Sequence, residues 1–363
     1  MEAEEHVSAA RGHSAALVLD LLRTAGEAGI SRLELAGRTG LTPQAVSKIT
    51  ARLRSGGLAV EAGHRASTGG KPRTVLRLVP SAGYAVGVHL DRDELTTLLA
   101  DLAGTVLVLR RRPADLGAGA EPVLDAVVEE VRALLAGAPA GATVLGVGVA
   151  MPGPLDHRAG VPGRVTGFPE WAGRPVRDEL VARLGLPVVL DKDTHAAALA
   201  LSLRPAAPDS FAYLHLGTGL GAGLVLGGAP LRGDRGGAGE LGHQTVQLDG
   251  PPCGCGGRGC LEVLCLAAVA RGELAEAARV LGTGAANLVR LLDVDRVVLG
   301  GRTVLTEPEA FVGGVREVLA GLGLTVPVEC AVGRDLVAEG AAWLRTAPVF
   351  GREVRSDRPI IGK

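Results

Sequence analysis

Short apolar segments with helical spacing alternate with glycine turns in the first part of the chain. An apolar stripe over residues 14–24 predicts a helix that ends near Gly26. Ser31 and Glu34 have the spacing of a capping box, in which each side chain accepts a hydrogen bond from the other residue's free backbone N–H. A second, short helix is therefore expected to run from there to about Thr39.

A third helix is predicted to begin at Thr42, whose hydroxyl can cap it, with Pro43 in the first helical position. Its apolar positions, which should face the core, are Val46, Ile49 and Leu53. Its other faces carry polar side chains that suit the major groove of DNA: Gln44, Ser47, Lys48 and Arg52. Two helices joined by a glycine-containing turn, the second with a polar outer face, are typical of a helix-turn-helix.

Two short strands, 58–61 and 74–79, are predicted to follow the third helix and to flank a glycine-rich loop. Lys71 and Arg73 lie at the tip of this hairpin, so a wing of this kind can present them to backbone phosphates or to the minor groove. A small helical packing domain is the alternative interpretation of the whole region.

Beyond Tyr84, runs of Val, Leu and Gly alternate with alanine-rich helical stretches, which predicts an α/β body. The predicted strands cover 84–90, 95–100, 105–110, 144–150, 187–191, 211–216, 222–227 and 295–299. The predicted helices cover 121–136, 175–184, 194–203 and 266–292. We expect a winged helix-turn-helix domain over 1–80, the α/β domain over 81–345 and an extended or mobile tail over 346–363.

Composition and charge fit this division. Aromatic residues make up 2% of the chain, so its cores must be built from Leu, Val and Ala, and stacking platforms for single-stranded nucleic acid are not expected. Residues 1–80 carry 11 Lys and Arg against 7 Asp and Glu, whereas the remainder carries 27 against 32. A basic block of this kind invites a polyanion partner, with a solvated charged surface as the alternative.

The cellular location is inferred from two further features. The start of the chain is acidic and does not resemble a secretory signal, and every apolar run is broken before it reaches the length of a membrane span. We therefore expect a cytoplasmic protein that does not bind membranes.

A histidine and a group of cysteines have the spacing of metal ligands: His243-x9-Cys253-x-Cys255-x4-Cys260. One imidazole and three thiolates make a closed tetrahedral site of the structural zinc type, and the glycines between the cysteines let one tight loop fold back. Four buried residues without a metal are the alternative. Cys265 and Cys330 lie outside this spacing and are expected to be core thiols.

Several residues of the body are candidates for ligand binding. A glycine-rich loop can present backbone N–H groups to an anion, although such hairpins are also common without a ligand: Gly217, Thr218, Gly219 and Gly221. Asp193 follows an apolar strand and is either a helix cap, a general base or an acceptor for a ligand hydroxyl. Glu240 and Glu262 flank the metal motif, where they suit vicinal hydroxyls; ordinary surface carboxylates are the alternative.

These motifs resemble the ROK family of repressors, open reading frames and sugar kinases, in particular its winged-helix repressor branch, over roughly residues 14 to 345. Ser31–Arg73 resembles the DNA-binding head of that branch. Residues 146–155 and 168–171 match landmarks of the family's first lobe. Residues 236–243, followed by the cysteine cluster and Glu262, are highly specific to the family.

The resemblance implies an actin-like body of two α/β lobes with a sugar cleft between them. It implies that the sugar site is lined by Asp193, Glu240, His243 and Glu262. It also implies that Zn²⁺, with a structural role, is held by His243, Cys253, Cys255 and Cys260. Asp193 would be the catalytic base toward a sugar hydroxyl only if the chain is a kinase.

Departures from the family pattern argue against ATP use. Family kinases carry Asp-x-Gly-Gly-Thr where this chain has residues 89–94, with three carboxylates and no glycine, so a triphosphate would be repelled unless a metal neutralises them. The usual Asn-Asp pair is Lys192-Asp193, and the Asn two positions further on is His195. The interval from Glu262 to Leu281 is shorter than usual, which predicts a missing helix and a reduced second lobe.

The sequence therefore favours a DNA-binding transcriptional regulator that acts as a repressor under the control of a sugar, a sugar phosphate or another sugar derivative. It would bind a double-stranded operator as a homodimer or a dimer of dimers. The alternative is an ATP-dependent sugar kinase of the same family. A ligand-independent architectural DNA-binding protein is a third hypothesis, suggested by the shortened second lobe.

Overall fold

The computed structural model describes residues 12–65 and 73–352. Its N-terminal head is a three-helix unit followed by a hairpin, and a short strand before the second helix pairs with that hairpin to give the sheet order β1-β3-β2. The elements are α1 (His13–Ala25), β1 (Ile30–Ser31), α2 (Arg32–Thr39), α3 (Pro43–Ser55), β2 (Ala59–Arg65) and β3 (Arg73–Leu78). This is the predicted winged helix-turn-helix arrangement.

The predicted helix starts of the head are confirmed. The Ser31 hydroxyl accepts a hydrogen bond from the Glu34 amide at 3.3 Å, and the Glu34 carboxylate accepts one from the Ser31 amide at 2.8 Å. The Thr42 hydroxyl caps α3 by accepting from Ala45 N at 3.2 Å. The three helices and the hairpin enclose a small apolar core: Leu19, Leu22, Leu35, Val46, Leu53 and Leu76.

The first lobe of the body is built on a five-stranded sheet of order β10-β7-β4-β5-β6. Its elements are β4 (Tyr84–Leu90), β5 (Glu94–Asp101), β6 (Val106–Pro113), α4 (Ala120–Ala136), β7 (Val144–Met151), β8 (Leu155–Asp156), β9 (Val161–Pro162), α5 (Val176–Leu184) and β10 (Val188–Lys192). Strands β4, β7 and β10 are parallel, so their carboxyl ends meet at one edge.

The second lobe repeats this plan with a five-stranded sheet of order β13-β12-β11-β14-β15, in which β11, β14 and β15 are parallel. Its elements are α6 (Asp193–Ser202), β11 (Phe211–Leu216), β12 (Leu220–Leu226), β13 (Ala229–Leu231), α7 (Leu261–Ala270), α8 (Leu274–Leu292), β14 (Val297–Gly300), α9 (Arg302–Thr306), α10 (Pro308–Gly321) and β15 (Val328–Cys330). The last helix, α11 (Leu336–Thr346), returns to the first lobe and packs on its sheet.

The lobes meet where α6 and α11 cross. Helix α11 lies on the first sheet so closely that a Cβ on Gly148 would collide with the carbonyl oxygen of Ala341. Where the two helices cross, a Cβ on Gly340 would collide with the carbonyl oxygen of Ala196 in the same way. Backbones can approach this closely only where one residue is glycine, and in both contacts the opposite residue is alanine.

Two sequence predictions about the body are wrong. The helix predicted over 266–292 is two helices, α7 and α8, because the chain turns at Gly272, whose φ of +75° ends the first of them. The tail predicted from 346 onward begins with a buried 3₁₀ turn over Ala347–Phe350 that packs against α1. Residues 353–363 of the predicted tail lie outside the described residues.

The head contacts the body through α1. The carboxylate of Asp20, buried at 5% exposure, accepts hydrogen bonds from Arg23 and from Arg352, the latter at 2.9 Å. Arg23 also donates to the carbonyl of Leu203, just after α6, and its guanidinium lies 5.3 Å from the ring of Trp343 in α11. The head therefore contacts both of the crossing helices.

None of the helices in the described part of the chain combines the length and the apolarity that a bilayer crossing requires.

Candidate functional site

A small cavity of about 60 Å³ lies between the lobes, at the edge where the parallel strands end. All four residues that the sequence assigned to a sugar site line it: Asp193, Glu240, His243 and Glu262. Thr218, Gly219 and Gly221 of the predicted anion loop line it as well, and Gly217 precedes them in the same turn. The cavity has room for a few water molecules.

Two carboxylates in the wall are held in fixed positions. Asp193 begins α6, its Oδ1 accepts a hydrogen bond from Thr194 N at 2.6 Å, and burial raises its pKa. Glu262 Oε2 accepts from Leu220 N at 2.9 Å. The hydroxyl of Thr194 is buried at the cavity wall and has no hydrogen-bond partner among the described residues. This wall therefore offers carboxylate acceptors to a ligand rich in hydroxyl groups.

The predicted metal ligands come together at one side of the cavity. The ligand atoms of His243, Cys253, Cys255 and Cys260 all lie within 4.8 Å of one another. Cys255 Sγ and Cys260 Sγ are 3.8 Å apart, and Cys253 Sγ is 3.7 Å from His243 Nδ1. Tetrahedral coordination with zinc–sulfur bonds of about 2.3 Å requires sulfur–sulfur separations of about 3.8 Å, so the donor set fits zinc.

His243 belongs to both the cysteine cluster and the cavity. Its Nδ1 faces the Cys253 thiol, whereas its Nε2 lies 3.5 Å from the Thr166 hydroxyl and 3.9 Å from Glu240 Oε2, both at the cavity wall. A metal bound at Nδ1 would fix the ring and leave Nε2–H as a donor toward the cavity. The other two cysteines match the expectation in part, since Cys265 is fully buried and Cys330 half-buried.

Lys192 is a cavity residue whose role sequence reasoning missed. Its side chain is buried, its stem lies on Gly153, and its ammonium group forms an ion pair with Glu240 and donates to the carbonyl of Ala238 at 3.4 Å. The adjacent Asp193 was recognised because it ends a strand. A lysine in such a position gives no separate sequence signal, since lysines are also common at the surface.

A buried ion pair between Asp191 and Arg232 lies next to the cavity but does not line it. The carboxylate of Asp191, near the end of β10, accepts hydrogen bonds from Arg232 Nε and from the backbone amide of Lys192, both at 2.8 Å. It also lies 3.2 Å from His195 Nδ1. Burial alone would raise the pKa of Asp191, but Arg232 and His195 outweigh it and hold the pKa below its ordinary value. Arg232 precedes the segment that carries Glu240, so the pair anchors that segment to the first lobe.

Arginines balance the negative charge of the acidic loop after β4. The sequence had suggested that only a metal could neutralise these carboxylates. Arg302, at the start of α9, binds Asp91 at 2.6 Å and also pairs with Asp93. Arg334 lies 3.3 Å from Glu94. Although burial would raise the pKa of Asp91, the nearby His89, the backbone amide of the next residue and Arg302 lower it to about 2.

The glycine-rich loop that was predicted to bind an anion belongs to the same network of contacts. The Thr218 hydroxyl donates to Asp91 Oδ1 at 3.0 Å, so the predicted anion loop is bonded to a carboxylate. Asp91 and Arg302 belong to different lobes and are 211 positions apart in the chain, a pairing that no local motif reveals.

The head presents a polar surface on α3. All four side chains predicted to face DNA from this helix are exposed: Gln44, Ser47, Lys48 and Arg52. Arg54, at the end of the same helix, is paired with Glu61 of β2 at 2.9 Å. Lys71, at the tip of the predicted wing, lies outside the described residues, and Arg73 is described only as the first residue of β3.

A winged-helix head joined to a two-lobed α/β body of the sugar-kinase type defines the class of protein. The sequence profile of the ROK family matches residues 85–268, which are 184 of the 363 residues, and the chain belongs to this family.

Three known proteins illustrate the relationship. The xylose repressor of Caldicellulosiruptor bescii is 25% identical over 334 residues, or 80% of this chain and 83% of its own length. The crystal structure of a ROK hexokinase from Thermus thermophilus is 34% identical and covers 71% of this chain and 96% of its own, with a TM-score of 0.58. A ROK family transcriptional regulator, a homolog of the Escherichia coli MLC protein, has a TM-score of 0.74 over 94% of this chain and 98% of its own. At 24% identity, this last likeness concerns the fold alone.

Proposed function

We propose that this ROK protein is a transcriptional repressor whose binding to DNA is controlled by a sugar or sugar derivative in the cavity between its lobes. The observation that carries the proposal is the exposed polar face of α3, presented by a winged head that is joined directly to the cavity-bearing body. The xylose repressor of Caldicellulosiruptor bescii, which matches 80% of this chain, supports this function.

The division of the chain follows from this proposal. Residues 1–80 bind one half of a double-stranded operator, residues 81–345 form the sensor, and two copies of the chain bind two half-sites through major-groove contacts from α3. A ligand can change the affinity for DNA only if it binds more tightly to one arrangement of lobes and head than to the other. A hundredfold change in operator affinity requires about 2.7 kcal/mol of such coupling.

A kinase of the same family is the second candidate, since Asp193 is placed to act as a base toward a ligand hydroxyl and burial raises its pKa. The pairing of Asp91 and Asp93 with Arg302 opposes it, because carboxylates and their arginine occupy the proposed phosphate position. We therefore expect no ADP release from Mg-ATP with any common sugar in a coupled assay. Steady turnover of a single sugar would revive the kinase hypothesis.

The experiment that tests the proposal measures DNA binding by the whole protein. Genome-wide binding or footprinting should identify an operator with two half-sites, and a panel of sugars should then change its measured affinity. Failure to bind duplex DNA at low ionic strength would refute the function. Binding that no sugar changes would leave the architectural alternative.

Loss of the metal should weaken the response to the effector more than it weakens DNA binding. In Cys253→Ser the zinc site loses a ligand, so His243 and the loop that carries Glu240 lose their support at the cavity. We expect the effector concentration for half-maximal release to rise at least tenfold, with operator affinity in the absence of effector nearly unchanged. Cys330→Ser, outside the cluster, is the matched control. A normal effector response in a protein shown to be free of zinc would contradict this role.

A further inference from the structure

A second cation in the cavity wall is Arg92, in the loop after β4. A Cβ placed on Gly219 would lie 3.2 Å from Arg92 Nη2 and 3.0 Å from Glu262 Oε2. The guanidinium and a proposed hydroxyl-binding carboxylate thus approach the same point of the cavity from two sides. Any ligand held by Glu262 comes close to a positive charge.

The charge of Arg92 is not neutralised by its neighbours. Asp91 and Asp93, on either side of it in the sequence, are both bound to Arg302, and Arg92 has no ion-pair partner among the described residues. Its planar group lies 5.7 Å from the ring of Phe168. Stacking on an aromatic ring orients the guanidinium and leaves its N–H groups, which lie in the plane, available to an acceptor.

Lys192 is the other cation of the same wall, but its charge is already matched. The buried ammonium group is paired with Glu240 through Oε1, and the second carboxylate oxygen of Glu240 can still accept from a sugar hydroxyl. Lys192 therefore keeps its counter-charge with a neutral or an acidic ligand, and Arg92 is the cavity cation that has no ion-pair partner among the described residues.

Arg92 lines the same cavity as the hydroxyl-binding carboxylates. We infer that the effector is an acidic monosaccharide, a sugar phosphate or a sugar carboxylate, whose anionic group is bound by Arg92. This inference rests on the proposed function, because it names the chemical class of ligand for the same cavity.

Calorimetry on the full-length, zinc-loaded protein tests the inference with matched probes: D-glucose, D-xylose, D-glucose 6-phosphate, D-glucuronate and inorganic phosphate. We expect at least one of the two acidic sugars to bind more than tenfold tighter than either neutral sugar. Arg92→Gln should remove most of that preference. Arg290→Gln, which removes an exposed arginine at the end of α8, is the matched control and should keep it. Comparing the phosphate and the carboxylate sugar identifies the anionic group.

Several outcomes would overturn the inference. A neutral sugar that binds as tightly as its acidic counterpart would do so, and the proposed function would still stand. Preference for acidic sugars that persists in a folded Arg92→Gln protein would remove Arg92 from the site. Inorganic phosphate binding as tightly as the sugar phosphate would show that no sugar is recognised. If none of the probes binds while duplex DNA does, the sensor role itself fails together with the inference.

Discussion

Replacing Lys48 and Arg52 together with alanine is expected to lower operator affinity by about a hundredfold at moderate salt. Both side chains are exposed on α3, one helical turn apart, on the surface that a helix-turn-helix inserts into the major groove. Each phosphate contact contributes about 0.9 to the slope of log affinity against log salt concentration, so the slope should fall by nearly two. Titration of a labelled operator at several salt concentrations measures both quantities.

The same helix supplies the control. Arg54→Ala removes one positive charge where the double variant removes two, and Arg54 is paired with Glu61, so its loss should change the logarithm of the operator affinity by much less than half as much. If the loss per charge removed is equal in the two variants, the effect comes from the net charge of the head. An unchanged salt slope in the double variant would exclude α3 as the DNA-contacting surface.

Asp191→Asn is expected to lower the free energy of unfolding by about 3–5 kcal/mol, because it leaves the charge of Arg232 buried without a partner. Both side chains are almost inaccessible, at 2% and 7% exposure, and Arg232 Nη1 has no hydrogen-bond partner among the described residues even with the aspartate present. Urea denaturation followed by circular dichroism, at neutral pH, measures the loss.

Two further measurements separate the ion pair from a general packing defect. The double variant Asp191→Asn/Arg232→Gln removes both charges and should recover part of the lost stability. In the wild type, the pKa of Asp191 is lower in the folded than in the unfolded state. Its contribution is therefore fully present above the ordinary aspartate pKa and declines as the pH falls below it. A single variant that costs less than about 1 kcal/mol would contradict the assigned role.

The features that were predictable from the sequence are set by residues close together in the chain. The capping box at Ser31 and Glu34 depends on one turn of helix, and the metal cluster depends on a loop whose cysteines are a few positions apart. Runs of Val, Leu and Gly located all five strands of the first sheet and three of the second, whereas the short edge strands β13 and β15 were missed. These patterns act locally, so the surrounding fold does not have to be known.

The features that were missed depend on contacts between distant segments. Arg302 neutralises a loop from the other lobe, and Lys192 reaches Glu240 across the cavity. The buried 3₁₀ turn after α11 is stabilised by α1, from the opposite end of the chain. Helix α7 appeared continuous with α8 because apolar residues persist on both sides of Gly272. None of these contacts leaves a periodic or short-range signal.

The crossing of α6 and α11 limits how the body can move. Because the backbones touch where Gly340 meets Ala196, neither helix can slide along the other without driving a side chain into a carbonyl group. Any opening of the cleft would therefore have to be a rotation about this crossing. Arg23 contacts Leu203, which follows α6, and Trp343 of α11, so such a rotation would also shift the contacts that hold the DNA-binding head on the body.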